Sequence, residues 1–295
     1  MKLKKMAILI SSVLICSFTG VFSVNALDCK NTYINNQTGN EIGAYYDVAS
    51  ESITYEPILD SGTNIVDGYT VENIAPCNIV NSPDDRREMN PYDSRICFLV
   101  GKWKTSDNTY REKFCGTGFL ISNNAVATAA HTFYDRNNTY QPIAVSMKIY
   151  YGLKGDYRSS NNYVTAAGFA YDTGFSTDVS KDYGVIRLNS SLSKGYFGFT
   201  SSQSVNQSVT VTGYPSEADK LYKQYTASGT INKIDTIKLY YKINTTGGQS
   251  GAPVYTTNTG SAIAVGIHIG YAGNNLNCAT RITPSMYNLF YKYRG

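Results

Sequence analysis

The chain has 295 residues, 42% of them hydrophobic, with 26 Lys and Arg against 22 Asp and Glu, and only two histidines. That is length enough for one large domain or two small ones with a sizeable core. The bases are scattered, with no run and no basic helix, which argues against a nucleic-acid partner. With two histidines and no CxxC spacing, a structural metal site is not expected, and no cofactor is.

The N-terminus reads as a targeting segment. Lys2, Lys4 and Lys5 precede a mostly apolar run, Met6 to Phe22, and Val24-Asn25-Ala26 offers a signal-peptidase site. Residues 1–26 are therefore expected to be a cleaved signal peptide and the product to be secreted. No later segment is long and apolar enough to span a bilayer.

Residues 27–78 carry one base and eight acids, whereas residues 79–295 carry 22 bases and 14 acids. An acidic leader ahead of a basic body suggests that the first contacts the second. Residues 27–90 show little periodicity and many turn residues, so a loosely structured leader and linker is expected there. Beyond Cys16 the cysteines are Cys29, Cys77, Cys97, Cys115 and Cys278. The number is odd, which leaves one thiol free or paired between chains. Cys97 and Cys115 fall on neighbouring predicted strands and are the favoured pair, with Cys29–Cys77 closing the leader.

From Arg95 onward short runs rich in Val, Ile, Thr, Tyr and Phe alternate with Gly, Asn, Ser and Asp turns. The predicted strands are 96–100, 114–121, 125–130, 143–151, 163–171, 183–188, 208–213, 222–231, 238–243, 252–255 and 262–269. About a dozen short strands with little helical pattern between them argue for an all-β barrel or sandwich. At the end, Thr283 as N-cap, Pro284 at the first helical position and Met286, Leu289 and Phe290 on one face predict a short helix. No internal repeat is visible.

Three stretches carry chemistry. His131 closes the small-residue run Val126-Ala127-Thr128-Ala129-Ala130, where another element can pack close to a general base. Asp182 immediately precedes the apolar strand Tyr183–Leu188; a carboxylate there can hold an imidazole Nδ1–H, although an aspartate at a strand start is by itself usually a solvated cap. Ser250 lies in Thr245-Thr246-Gly247-Gly248-Gln249-Ser250-Gly251-Ala252-Pro253, a stretch too Gly-rich for a helix. A serine on such a turn, with bare N–H groups beside it, suits an acyl-transfer nucleophile. The order His, Asp, Ser distinguishes this arrangement from the subtilisin and α/β-hydrolase orders.

The segments Gly116–Ile121, Thr128–His131, Asp182–Ile186 and Gly248–Val254 resemble the trypsin-like serine proteases. Thr245-Thr246-Gly247-Gly248-x-Ser250-Gly251-x-Pro253-Val254 with Val265-Gly266-Ile267-His268 is similar to their glutamyl endopeptidase, or staphylococcal V8-type, branch. The resemblance covers about residues 79–295. It implies two antiparallel six-stranded barrels of the chymotrypsin-like kind, at about 95–190 and 205–282, with the helix at about 284–293. It implies a secreted serine endopeptidase, with Ser250 as nucleophile, His131 as base and then acid, and Asp182 as the orienting carboxylate. The N–H groups of Gly248 and Ser250 would form the oxyanion hole. Thr245 and His268 would line a pocket for an acidic P1 side chain, so peptides with Glu, or also Asp, are the expected partners, and a monomer the expected state. The alternative is a catalytically silent or differently specific binding or toxin-like module on the same fold.

The sequence departs from the family in places. Thr132 follows His131 where many animal members have cysteine. Gln249 stands where Asn or Asp is commoner, and no Asp immediately precedes the Gly-x-Ser run, so an ion pair between a new N-terminus and such an Asp is not available. Ile269 follows His268 where an aromatic is usual. In the V8-type branch the mature chain begins a few residues before an Asp-Arg pair, here Asp85-Arg86. That puts the start near Ile79, makes residues 27–78 an acidic propeptide, and brings the freed amino group near the specificity pocket. Cuts after Glu72, Arg87 or Glu88 are rivals. Removal at 79 would leave Cys278 unpaired; retention of Cys77 would allow Cys77–Cys278.

Overall fold

A computed structural model describes residues 42–58, 75–137, 139–257 and 260–295. The signal segment and leader residues 27–41 and 59–74, Cys29 among them, lie outside the described residues. The leader supplies a hairpin, β1 (Ile42–Asp47) and β2 (Ser52–Pro57), and β3 (Arg87–Glu88) follows it. Then come β4 (Ile96–Lys104), β5 (Tyr110–Ser122), β6 (Ala125–Thr128), β7 (Ser146–Tyr151), β8 (Tyr163–Asp172) and β9 (Gly184–Leu188). The second half contains β10 (Gly198–Phe199), β11 (Ser208–Gly213), β12 (Tyr225–Ile234), β13 (Lys238–Tyr241), β14 (Pro253–Thr256), β15 (Ile263–Gly273) and β16 (Leu276–Arg281). A helix, α1 (Pro284–Tyr293), ends the chain.

Two six-stranded antiparallel barrels result. The first closes in the order β4-β5-β6-β9-β8-β7, with β7 returning to β4. The second closes as β11-β12-β13-β16-β15-β14, with β14 returning to β11. Counting strands from each barrel's start, the pairing scheme is the same in both. The fold therefore repeats although the sequence does not: pairing follows alternation and turn positions, which many residue sets satisfy.

Strand β4 shows why some runs are apolar on both faces. Cys97, Leu99 and Trp103 point into the first barrel, while Ile96, Phe98 and Val100 join a core between the barrels. Successive side chains point to opposite faces, and here both faces are covered, so every position from Ile96 to Gly101 is buried. Phe98 stacks on Phe114 with centroids 4.0 Å apart and meets Tyr214 edge-on at 5.3 Å. Such a side chain cut to alanine costs about 3–5 kcal/mol. A third core fills the second barrel.

Helix α1 begins as expected: Thr283 caps it by accepting from the Met286 N–H at 3.3 Å, with Pro284 in the first turn. Met286, Leu289 and Phe290 enter the core between the barrels.

Three sequence expectations need correction. The leader is not loosely structured over 42–57: β1 adds to the edge of β8, from Gly43 opposite Asp172 to Asp47 opposite Gly168. Strand addition and packing dominate this contact, with Tyr45 stacked on Tyr293 at 5.4 Å. Among the described residues one ion pair, Glu56 with Lys292, joins the acidic leader to the body. Second, β16 was absent from the predicted strands. It follows a hairpin turn at Asn274-Asn275, both at positive φ, a two-residue turn that asparagine tolerates. Third, Cys97 and Cys115 are free thiols, as are Cys77 and Cys278. Cys97 stands opposite Gly118 in the β4–β5 register, so Cys115 lies three residues further along its strand. That is about 10 Å, beyond the reach of a disulfide.

Candidate active site

The site forms where the barrels meet. Strand β6 ends at Thr128 and the chain turns through a single 3-10 turn, Ala130–Thr132, that carries His131. Asp182 sits just ahead of β9, the strand that pairs with β6. The sheet thus brings residues 51 positions apart into contact. His131 Nδ1 lies 2.6 Å from Asp182 Oδ2, and the His131 backbone N–H donates to Asp182 Oδ1 at 2.9 Å. The carboxylate is 7% exposed and the imidazole 36%. Burial of the ring works against protonation, but the charge of Asp182 and its hydrogen bond prevail and raise the imidazole above its ordinary 6.5.

Ser250 comes from the second barrel, on the turn before β14. Gly248 and Gly251 have φ of +89° and +88°, a conformation that glycine adopts without a Cβ clash. A Cβ on Gly251 would lie 2.0 Å from the Thr117 carbonyl oxygen and 2.3 Å from Thr128 Oγ1. The missing side chain lets the serine turn press against β5 and β6. Cross-barrel bonds hold it there: the Thr117 N–H donates to the Ser250 carbonyl at 2.8 Å, and the Thr117 hydroxyl donates to the Gly248 carbonyl at 2.9 Å. The backbone N–H groups of Gly248 and Ser250 have no acceptor among the described residues. Two adjacent free donors of this kind can receive an oxyanion.

The third expected contact is not made. Among the described residues no hydrogen bond joins Ser250 Oγ to His131. Ser250 Oγ instead donates to the Ile269 carbonyl at 3.5 Å and lies 3.7 Å from Cys77 Sγ.

Thr245 and His268, the expected pocket residues, are both fully buried. The Tyr241 hydroxyl lies 2.6 Å from His268 Nδ1, and His268 Nε2 lies 3.0 Å from Cys77 Sγ. Burial drives His268 down to about 3, so its ring is neutral, and holds the Tyr241 phenol well above its ordinary value. A phenol donating to Nδ1 would leave the ring proton on Nε2, facing Cys77. Thr245 Oγ1 is buried without a partner of normal hydrogen-bond geometry. A thiol is at best a weak partner for it. Burial also raises the Cys77 thiol, to about 11, so it is uncharged.

Cys77 belongs to the leader, and its path is unexpected. The Tyr271 N–H donates to the Ala75 carbonyl at 3.0 Å in an antiparallel bridge. Cys77 then reaches His268 and Ser250 Oγ. Asn78 pairs with Asn277 through two hydrogen bonds of 3.1 and 2.6 Å. The N–H groups of Val80 and Asn81 donate to Asn244 Oδ1 at 2.8 and 2.7 Å. Residues 75–81 therefore run across β15 and through the space between Thr245 and His268. Nothing in the sequence around Cys77 signalled this. Tyr241 was likewise missed because it reads as one more residue of the predicted strand 238–243, and Asn244 because it reads as a polar residue just past its end.

A family model described as "Trypsin-like peptidase domain" matches residues 116–265. A Bacillus subtilis (strain 168) protein named "Extracellular metalloprotease" is 30% identical, over 90% of this chain and 89% of its own length. Its name refers to a metal; among the described residues here no group of three or more His, Cys, Asp or Glu is arranged to hold one. The glutamyl endopeptidase of Bacillus licheniformis is 33% identical over 58% of this chain and 57% of its own length. A solved structure of a Glu endopeptidase in complex with MPD superposes with a TM-score of 0.61 at 21% identity, covering 73% of this chain and 99% of that one. A protease from Arthrobacter nicotinovorans gives 0.56 at 16% identity, over 71% of this chain and 99% of its own.

Proposed function

The chain belongs to the trypsin-like serine peptidases, in the glutamyl endopeptidase branch, and on that premise we propose that it is a secreted endopeptidase cutting after glutamate, with aspartate as a poorer substrate, made as a zymogen. The signal-like N-terminus supports secretion, as does the word "Extracellular" in the name of the Bacillus subtilis relative. One observation carries the specificity: a neutral His268, held by Tyr241, and an unsatisfied Thr245 hydroxyl face one buried space. A carboxylate entering it would meet an N–H and an O–H, and its charge would favour a protonated imidazole.

The chemistry uses the groups already placed. Ser250 Oγ attacks the scissile carbonyl carbon while His131 Nε2 takes its proton. Asp182 keeps Nδ1–H in place and stabilises the imidazolium. The tetrahedral oxyanion takes the N–H groups of Gly248 and Ser250. Its collapse breaks the C–N bond, His131 returns the proton to the leaving amine, and the acyl group stays on Ser250. Water then repeats the sequence and frees the acid.

Residues 75–78 account for latency in this reading. They add to β15 as an extended peptide would, place Cys77 against His268, and set its sulfur beside Ser250 Oγ, which bonds to the Ile269 carbonyl. Removal of the leader near residue 79 would clear the pocket and leave the new amino group beside Thr245 and Asn277, a cation close to an acidic substrate. The deciding experiment incubates the processed enzyme and its Ser250→Ala variant with a peptide library varied at P1. Cleavage after Glu ahead of Asp, abolished in the variant, is expected. A preference for basic or large apolar P1, or a Ser250→Ala enzyme as fast as wild type, refutes the reading.

A further inference from the structure

Arg86 is a buried cation beside the serine turn, and neither the proposed catalytic steps nor the pocket uses it. Its side chain has no solvent exposure. Two carboxylates offset the cost of burying its charge. Nε and NH2 donate to Asp84 at 2.9 and 2.7 Å, and NH1 and NH2 donate to the two oxygens of Glu217 at 2.8 Å each. A guanidinium fixed from two sides is a rigid peg. Arg86 comes from the segment that enters the body, just ahead of the point where β3 pairs with β12.

Its remaining N–H, on NH1, reaches the serine turn. NH1 donates to Thr246 Oγ1 at 2.6 Å and approaches Gln249 Oε1 at 3.4 Å. Gln249 Oε1 also accepts from the Thr246 N–H at 3.0 Å, and the Gln249 N–H donates to the Thr246 carbonyl at 3.2 Å. The Thr246 hydroxyl in turn donates a hydrogen bond to Glu217 Oε2 at 2.6 Å. Residues 246 and 249 are thus tied to each other and to one guanidinium. Between and beside them lie the peptide groups whose N–H donors, at Gly248 and Ser250, are left free. A turn that carries three glycines in five residues has little stiffness of its own. The residue before Ser250 is a neutral Gln, so no ion pair at that position can fix it.

We propose that Arg86 is a positioning residue for the oxyanion donors: through Thr246 and Gln249 it sets the direction of the Gly248 and Ser250 N–H groups. It touches no substrate atom. The peg stands in the chain that still carries its leader, so the donors are set before processing and need no newly freed amino group. This inference rests on the serine-peptidase reading. It adds that a cation from outside both barrels tunes the transition state and leaves ground-state binding alone.

Arg86→Gln in the processed enzyme should lower kcat roughly 10- to 100-fold, below the loss of about 10²- to 10³-fold for removing an oxyanion donor outright. KM should move less than about three-fold, since only transition-state contacts are lost. Affinity for a glutamyl peptide aldehyde, which forms a tetrahedral adduct, should fall by the same factor as kcat, while affinity for the matching peptide acid should not. Arg86→Ala should regain turnover with added methylguanidine. Gln249→Met serves if Arg86 variants fold poorly. It should show the same kcat-only loss, and the double variant should lose little more. Unchanged kcat in folded Arg86→Gln and Gln249→Met overturns the proposal, as does a loss carried by KM or an aldehyde affinity that does not follow kcat. Ser250→Ala run alongside separates the two readings. Wild-type turnover there removes the premise; its inactivity with full kcat in Arg86→Gln removes this inference alone.

Discussion

The two barrels share one pairing scheme, yet they bring their parts of the site in different states. On the first barrel His131 and Asp182 are already joined, at 2.6 and 2.9 Å, with an edge of the imidazole open to solvent. On the second, Ser250 bonds to the Ile269 carbonyl, and Thr245 and His268 are closed over by Cys77. The difference lies in what covers each half and not in how it is built, because the turn carrying Ser250 still holds two unused N–H donors. In the zymogen reading proposed above, latency would come from covering the second half: departure of residues 75–78 would open it, and Ser250 Oγ would then have to turn from the Ile269 carbonyl toward His131.

The largest effect should come from the half that is ready. Asp182→Asn keeps the size of the side chain but replaces an acceptor of the Nδ1–H with a group that can donate to it. In the proposed mechanism kcat should fall about 10⁴-fold, as for the equivalent change in the Ser-His-Asp template. The pH profile gives a second readout. His131 acts as a base only when neutral, and Asp182 raises its pKa above 6.5. Wild-type activity should therefore be lost as pH falls through a value higher than that. The Asn variant, without the carboxylate's charge, should keep its residual activity to lower pH. A profile that does not move would separate Asp182 from the base.

The pocket half should show a smaller and more selective effect. His268→Ala should reduce kcat/KM for Glu substrates roughly 10- to 100-fold, the worth of one hydrogen bond to a buried charge. Substrates with a small apolar P1 should change little. Equal losses for both classes would make His268 a packing residue of β15, and equal rates after Glu would remove it from the pocket.

What was legible in the sequence follows the same division. Local signals mark residues whose chemistry depends on their immediate neighbours. The Gly-rich turn at Ser250, the small residues before His131 and the apolar strand after Asp182 are of this sort, as are the N-cap Thr283 and Pro284. Tertiary pairing left no such mark. The leader hairpin reads as acidic and turn-rich because β1 is covered by β8 and α1, partners far away in sequence. Arg86 reads only as half of the Asp85-Arg86 pair that marks the start of the mature chain, since Glu217 is 131 residues distant. The β4–β5 register, with its bulge after Leu99, decided against Cys97–Cys115 where strand adjacency alone favoured it. Cys77 offered the least signal, because a lone cysteine in an apolar-polar mixture gives no hint that it faces a serine hydroxyl.

Cys77 is also where the comparison between the halves can be tested most finely. Cys77→Ala removes one sulfur from the pocket. It leaves the Ala75–Tyr271 bridge, the Asn78–Asn277 pair and the bonds of Val80 and Asn81 to Asn244 intact. The lost contact is worth about 1 kcal/mol, close to one buried methylene. The fraction of leader-bearing chains with an open pocket should then rise roughly five-fold. The rate at which a fluorophosphonate labels Ser250 in the intact precursor reads this directly, with mass spectrometry confirming that the leader is still attached. Labelling should accelerate by that factor and remain far below that of the processed enzyme, because backbone pairing still holds the segment on β15. An unchanged rate would show that the thiol does not gate the pocket. A rate equal to that of the processed enzyme would place the whole restraint on one sulfur and deny any share to the strand addition.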